Sequence, residues 1–398
     1  MQKLIIKGKK ELTGTISISG SKNATLPILA ASILASRVKL ENIPLVKDIF
    51  TMVELLNFIG LDTKFLKNKN ILEIKNKEKK INTSAPYKLV KTMRAGVLVL
   101  GPLLTKYGKA KVSLPGGCAI GTRPVDLHLY ALKKMGAKIK IKNGYIFAEA
   151  KNGLKGANIK FPIISVGATE NALIASTLAR GKTILKNCAI EPEIKDLIQF
   201  LKKLGGKINV TGRTIHIEES KIKKELIKHK IIFDRIETGT YMIASSLVGK
   251  KIVINKIEPS VVKCEINILK KMGVKIKKKT SSIILQKSNE LKKTNVVTKP
   301  YPGFPTDLQA QLMVLMTQAK GTSKISENIF ENRFMHIPEL KRMGAKIKIK
   351  NKTAIIEGPS KLMGAEVMAT DLRASVSLVL AGLIAENRTI INRIYHLD

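Results

Sequence analysis

The 398 residues are 44% hydrophobic and carry a formal net charge of +41, enough chain for two or more domains and too apolar for disorder. No uncharged apolar run reaches the about 20 residues of a membrane span, and the opening MQKLIIKGKKELTG lacks the apolar run and cleavage site of a signal peptide. Only 11 of the 71 basic residues are arginine and the lysines are scattered along the chain and gather into no single arm, so the charge predicts weak polyanion binding at low salt and no specific nucleic-acid partner. Three cysteines without metal-ligand spacing indicate free thiols, no metal centre and a reducing compartment, the cytoplasm.

In chain order, Gly20-Ser21-Lys22-Asn23 comes first, a polar loop opening a helix of small residues and a good place for an anion. ELLNFIGLDTKF, ending its helix at Gly60, then begins a pattern that recurs. YALKKMGAKIKIKNGYIFAE has its glycine at Gly136, FLKKLGGKINVTGRTIHIEE at Gly205, ILKKMGVKIKKKTSSIILQ at Gly273 and ELKRMGAKIKIKNKTAIIEG at Gly344. The glycines are 76, 69, 68 and 71 residues apart. In each segment apolar residues at helical spacing run into a glycine able to take the left-handed cap, and alternating strand residues follow. Asn143-Gly144 is a hairpin turn. Between these units lie six helices poor in charge, at 24–35, 93–104, 168–179, 238–248, 307–319 and 372–385, which are predicted to be buried. Six buried helices against five glycine-ended ones imply an incomplete sixth unit. Three units plus three, with the lysine-rich stretch 221–230 as linker, predict two similar domains and a cleft for a small molecule.

One loop stands out. Val112 to Leu114 ends a strand, Pro115-Gly116-Gly117 breaks it, and Cys118 follows with Arg123 five residues on. A guanidinium there favours thiolate and could hold an anionic substrate against the sulfur. Cys188 and Cys264 read instead as buried, inert thiols.

SGSKNATLPIL at Ser19, KTMRAGVLVLGPL at Lys91, LPGGCAIGTRPVDLHL at Leu114 and SVGATENALIA at Ser165 carry a family resemblance. So do DRIETGTY at Asp234, FPTDLQAQ at Phe304, ENIFENRFMHIPELKRMGA at Glu327 and ATDLRASVSLVLAG at Ala369. The chain resembles, along its whole length, the enolpyruvyl transferases that commit UDP-N-acetylglucosamine to peptidoglycan. The resemblance implies an α/β fold, a two-domain inverse α/β barrel of six βα repeats with the sixth incomplete here. It places one domain at 21–230 and the other at 231–398, joined by the strand within 1–20.

The reaction so implied moves the enolpyruvyl group of phosphoenolpyruvate to the sugar 3-hydroxyl and releases phosphate. Phosphoenolpyruvate calls for fixed cations, and Lys22, Arg123 and Arg373 stand in the matching motifs. Five of the 11 arginines, Arg94, Arg123, Arg235, Arg333 and Arg373, fall inside motif stretches. The resemblance gives Cys118 the protonation of the methylene carbon and a covalent adduct with phosphoenolpyruvate. It gives Asp307 the deprotonation of the hydroxyl; a helix N-cap is the plainer reading of Thr306-Asp307. The nucleotide is expected along Arg123, Pro124, Val125, Asp126 and Leu127 and along Ser165, Val166 and Gly167. Asn23, Arg94 and Ile329 are expected nearer the sugar, and Asp371 beside Arg373 is expected to orient the cations. No cofactor is implied, and a monomer is expected.

Two departures stand against the pattern. Ile163 occupies a place where relatives often have a lysine, and relatives continue past the Tyr-His-Leu-Asp stretch with an arginine and a last helix. A sister class acting on shikimate 3-phosphate shares the fold but lacks the cysteine loop. A degenerate paralogue that binds the sugar nucleotide with little turnover is the other alternative.

Overall fold

A glycine placed just past an apolar helix can close it by turning left-handed, and five repeated segments of this chain do so. A computed structural model describes residues 2–77, 81–91, 93–116, 125–288 and 290–394. The expected Cys118, Arg123 and Pro124 lie outside the described residues, as does the stretch 395–398. The helices Lys47–Ile59, Asp126–Lys134, Pro192–Lys203, Lys263–Lys271 and Ile337–Arg342 lead into Gly60, Gly136, Gly205, Gly273 and Gly344. Their φ angles are 110°, 92°, 108°, 92° and 97°. At Gly136 the closure is complete: its N–H reaches the Lys133 carbonyl at 2.9 Å, and the next N–H reaches Leu132 at 3.0 Å.

Each glycine turns the chain into a hairpin. Lys138–Lys142 pairs antiparallel with Tyr145–Glu149 across Asn143 and Gly144, both at positive φ, as the sequence predicts. The first strand of each hairpin lies at a sheet edge. Lysines there, as in Lys138–Lys142, Lys275–Lys278 and Lys346–Lys350, discourage pairing with another chain. Part of the charge excess is therefore an edge guard.

Contacts divide the described residues into two units, 19–116 with 125–233, and 2–18 with 234–394. In the first unit, Leu226–Lys230 lies parallel to Arg37–Glu41, and the hairpin strands Ile71–Asn76 and Leu61–Leu66 complete that sheet antiparallel. In the second unit the two N-terminal strands fill sheets built late in the chain. Leu12–Ser17 lies parallel to Gly249–Asn255, and Lys3–Lys7 antiparallel to Arg388–Asn392, whose other neighbour is Glu366–Met368. The sixth sheet holds these three strands among the described residues.

Inside each unit three helices pack on one another. In the first they are Lys22–Ala31, Leu100–Tyr107 and Val166–Ser176; in the second, Arg235–Val248, Gln309–Met316 and Leu372–Ile384. Every side chain of Gln309–Met316 is buried. In the first unit the helices approach closely: a Cβ added at Gly101 would stand 2.3 Å from Asn171 Oδ1 and 2.7 Å from the Asn171 carbonyl. Asn171 also joins the helices by hydrogen bonds, accepting from the Gly101 N–H at 2.8 Å and donating to the Val97 carbonyl at 3.1 Å. The middle helix of each unit begins differently from the sequence expectation, as the 3-10 turns Arg94–Val99 and Thr306–Leu308. In the first, Pro102 has no N–H for the carbonyl of Leu98, so the α ladder cannot run back through that turn.

Two glycine substitutions should separate backbone strain from close approach. Gly136→Ala meets open space and should cost about 1–2 kcal/mol from its positive φ alone. Gly101→Ala has no such strain but should cost about 3 kcal/mol or more through overpacking against Asn171. Urea unfolding followed by circular dichroism measures both; equal costs would contradict this packing.

Candidate active site

A helix buried along its length exposes polar groups only at its ends, and its first turn offers unpaired N–H donors and the positive end of its dipole. Most of the expected site residues in the described chain sit in such first turns. Ser21 caps Lys22–Ala31 by accepting from the Ala24 N–H at 3.3 Å, which places Lys22 and Asn23 at its opening. Lys22 Nζ meets Asp48 Oδ2 at 2.9 Å, an intra-unit partner from the neighbouring outer helix. Ser165 caps Val166–Ser176 in the same way, and Arg94 opens the 3-10 turn of the middle helix.

The starts at Arg94 and at Ser165 come together around His128, a residue the sequence reading passed over. A Cβ on Gly167 would stand 3.1 Å from His128 Cε1 and 3.2 Å from Nε2. Asn171 Nδ2 lies 3.1 Å from His128 Nδ1. Because Gly101 N–H needs the amide oxygen of Asn171, the amide nitrogen must donate to Nδ1, and the imidazole proton then belongs on Nε2. Burial pushes His128 down to about 4, against the pull of Asp126 and with the help of Arg94. The ring is neutral at neutral pH. Val125, Asp126 and Leu127 lead into the same helix, so the expected nucleotide stretches 125–127 and 165–167 and Arg94 share one neighbourhood. Ile163 is 66% exposed and offers no charge.

The second unit assembles a charged cluster. Asp307 lies inside its 3-10 turn, behind Pro305, and no side chain caps that turn, which corrects the N-cap reading. Its carboxylate instead accepts from Arg333 at Oδ1, 2.7 Å away, and from Arg373 at Oδ2, 3.0 Å away. Arg333 is almost fully buried while Asp307 keeps 27% of its side chain exposed, so the acid faces outward from a buried guanidinium. Asp371 caps Leu372–Ile384, accepting at Oδ1 from the N–H groups of Arg373 and Ala374 at 2.8 and 3.1 Å. It thus fixes the start of the helix that carries Arg373. Arg333, known from sequence only as a motif arginine, is the addition here. No spacing rule joins residues 26 and 66 positions from Asp307. Ile329 is 38% exposed.

Cys188 is buried, with its thiol pushed up to about 12 by that burial; burial also raises Cys264 to about 11. Both are thiols, not thiolates, at neutral pH. Among the described residues no group of three or more His, Cys, Asp and Glu could hold a metal ion, and no helix is long and apolar enough to cross a membrane.

Two three-helix, three-sheet units with polar chemistry gathered at buried helix starts define an α/β enzyme of internally repeated architecture. The crystal structure of the enolpyruvyl transferase NikO from Streptomyces tendae shares this fold, with a TM-score of 0.91 at 22% identity over 99% of this chain and 94% of that one. The family model of EPSP synthase (3-phosphoshikimate 1-carboxyvinyltransferase) matches residues 6–398, and the chain belongs to this family of enolpyruvyl transferases. It is 58% identical over its whole length to the UDP-N-acetylglucosamine 1-carboxyvinyltransferase of Pelagibacter ubique (strain HTCC1062), covering 95% of that protein. It is 49% identical to the protein of the same name from Rickettsia felis, with the same coverage. These full-length likenesses to enzymes give the degenerate-paralogue reading no support.

The cluster also predicts a pH dependence of stability. His336 is 1% exposed, its Nε2 finds no partner among the described residues, and burial lowers it to about 4, with Asp371 opposing and Arg333 reinforcing. The folded pKa lies below the unfolded 6.5, so the unfolded chain binds the proton first. Stability is therefore full above pH 6.5 and falls as the pH drops towards 4, by on the order of 3 kcal/mol for this group. His336→Gln should flatten urea midpoints across that window; an unchanged slope would show that His336 does not titrate this way.

Proposed function

We propose that the chain transfers the enolpyruvyl group of phosphoenolpyruvate to the 3-hydroxyl of UDP-N-acetylglucosamine and releases phosphate, the first committed step of peptidoglycan synthesis. The observation that carries this is the 58% identity, end to end, with a relative named for that reaction. The charged groups support it. Asp307, facing outward between Arg333 and Arg373, is the base that takes the hydroxyl proton as oxygen attacks C2 of phosphoenolpyruvate. Cys118 supplies the proton to the methylene carbon, and its thiolate can add reversibly to C2 of the protonated phosphoenolpyruvate, an adduct that expels the thiolate again before the sugar oxygen forms its own bond to C2. Loss of a proton from the new methyl group and departure of phosphate then restore the double bond.

Lys22, Arg123 and Arg373 neutralise the phosphate and carboxylate of phosphoenolpyruvate, and Asp371 holds Arg373 in place. Arg123 through Leu127 and Ser165 through Gly167 hold the nucleotide, with Asn23, Arg94 and Ile329 at the sugar. The helix start at Val166, with its free N–H groups, suits a diphosphate. No cofactor takes part, the enzyme works as a monomer, and its nucleotide substrate and free thiols suit the cytoplasm. The two domains of the reaction are 21–230 and 231–398 with the strands of 1–20.

Phosphate release from phosphoenolpyruvate should depend on UDP-N-acetylglucosamine and not on shikimate 3-phosphate. The opposite dependence would move the chain to the sister class. Fosfomycin, an epoxide phosphonate, should alkylate Cys118 and spare Cys188 and Cys264, whose protonated thiols are poor nucleophiles. Peptide mass spectrometry reads the outcome, and an adduct on Cys188 or on the partly exposed Cys264 with Cys118 unmodified would contradict it. Cys118→Asp should resist the drug and keep part of the turnover, because a carboxylic acid of raised pKa also protonates carbon.

A further inference from the structure

Glu327 is a carboxylate with 2% exposure in a chain of net charge +41, and none of the roles above uses it. It follows directly on the strand Ala319–Ser326. Four donors meet it. Thr298 Oγ1 donates to Oε1 at 3.0 Å, as do the N–H groups of Ile329 at 2.8 Å and Phe330 at 3.1 Å. Thr306 Oγ1 donates to Oε2 at 2.8 Å. Thr298 Oγ1 in turn accepts from the Asn328 N–H at 3.0 Å. Among the described residues no lysine or arginine pairs with Glu327, so hydrogen bonds alone tie it down.

The segments so joined are the two that carry the Asp307 pair. Thr306 is the residue before Asp307, in the same 3-10 turn. Ile329 and Phe330 begin the turn that leads to Arg333, and Arg333 sits over the Phe330 ring, 5.4 Å from its centroid. Swinging either segment by an ångström would break the 2.7 Å bond between Arg333 and Asp307. We infer that Glu327 is a positioning residue for the transfer reaction: it locks the Asp307 turn to the Arg333 turn and thereby aims the Asp307 carboxylate at the sugar hydroxyl. The inference rests on the reading of Asp307 as the base.

Glu327→Gln keeps the size but places an NH2 group against one of the donors. Misplacement of the base should lower kcat by about 30- to 100-fold, while KM for phosphoenolpyruvate stays within about threefold. Thr306→Val, which removes one donor, should show the same split, and Thr306→Ser, which restores the hydroxyl, should recover most of the lost kcat. Steady-state phosphate release at saturating substrates reads all three, and the Thr306 pair decides alone if Glu327→Gln does not fold. A Glu327→Gln enzyme with the kcat of the unmodified protein overturns the inference. So does a KM that rises in proportion to the loss of kcat, or a Thr306→Ser enzyme as slow as Thr306→Val. If the unmodified protein itself releases no phosphate with UDP-N-acetylglucosamine, the functional reading has failed and the inference with it; the first three results leave that reading standing.

Discussion

Close packing of three helices, tight enough in the first unit that a Cβ on Gly101 would strike Asn171, is the constraint behind everything else. Where Gly101 lies against Asn171, the facing sides of the two helices leave no space for a ligand between them. Chemistry is therefore confined to the starts of the helices, where the backbone itself supplies donors. Ser21, Ser165, Asp234 and Asp371 each cap one of those starts by accepting from N–H groups of the first turn. The remaining two open through 3-10 turns, and these present Arg94 in one unit and Asp307 in the other.

That arrangement gives each unit its own character. In the first, the starts at Arg94 and Ser165 meet His128, whose ring is neutral and whose tautomer Asn171 dictates, and with the cation of Arg94 they favour an anion. In the second, Asp307 is clasped by two guanidiniums, one of them buried. A buried arginine that lost its carboxylate would be left desolvated and unpaired. The pair is therefore fixed in place, which suits a base that must meet a hydroxyl in one orientation. Glu327 extends the same logic one layer back, holding the backbone of both partners.

Much of the scaffold was legible because it repeats. Five glycines after apolar helices announced five left-handed closures, and all five are present. The Asn143-Gly144 turn and the buried small-residue helices follow from equally local rules. Site chemistry was legible where a motif placed residues side by side, as with Asp371 and Arg373. It was not legible where contacts cross the fold. The bond from Asn171 to His128 spans 43 positions, and the bonds from Asp307 to Arg333 and Arg373 span 26 and 66. The cap reading of Asp307 failed for the same reason: local sequence offered the carboxylate a backbone partner, while the fold offered it two charged ones, which bind more strongly.

The most direct test of the account is the division of labour between Cys118 and Asp307. An Asp307→Asn enzyme, incubated with phosphoenolpyruvate and UDP-N-acetylglucosamine, is followed by intact mass for the thiol adduct and by chromatography for the enolpyruvyl sugar nucleotide. The account predicts adduct on Cys118 as in the unmodified enzyme, since that step needs no sugar hydroxyl, with transfer reduced to roughly a hundredth or less. Transfer within about tenfold of the unmodified rate, too small a loss for a general base, would contradict it.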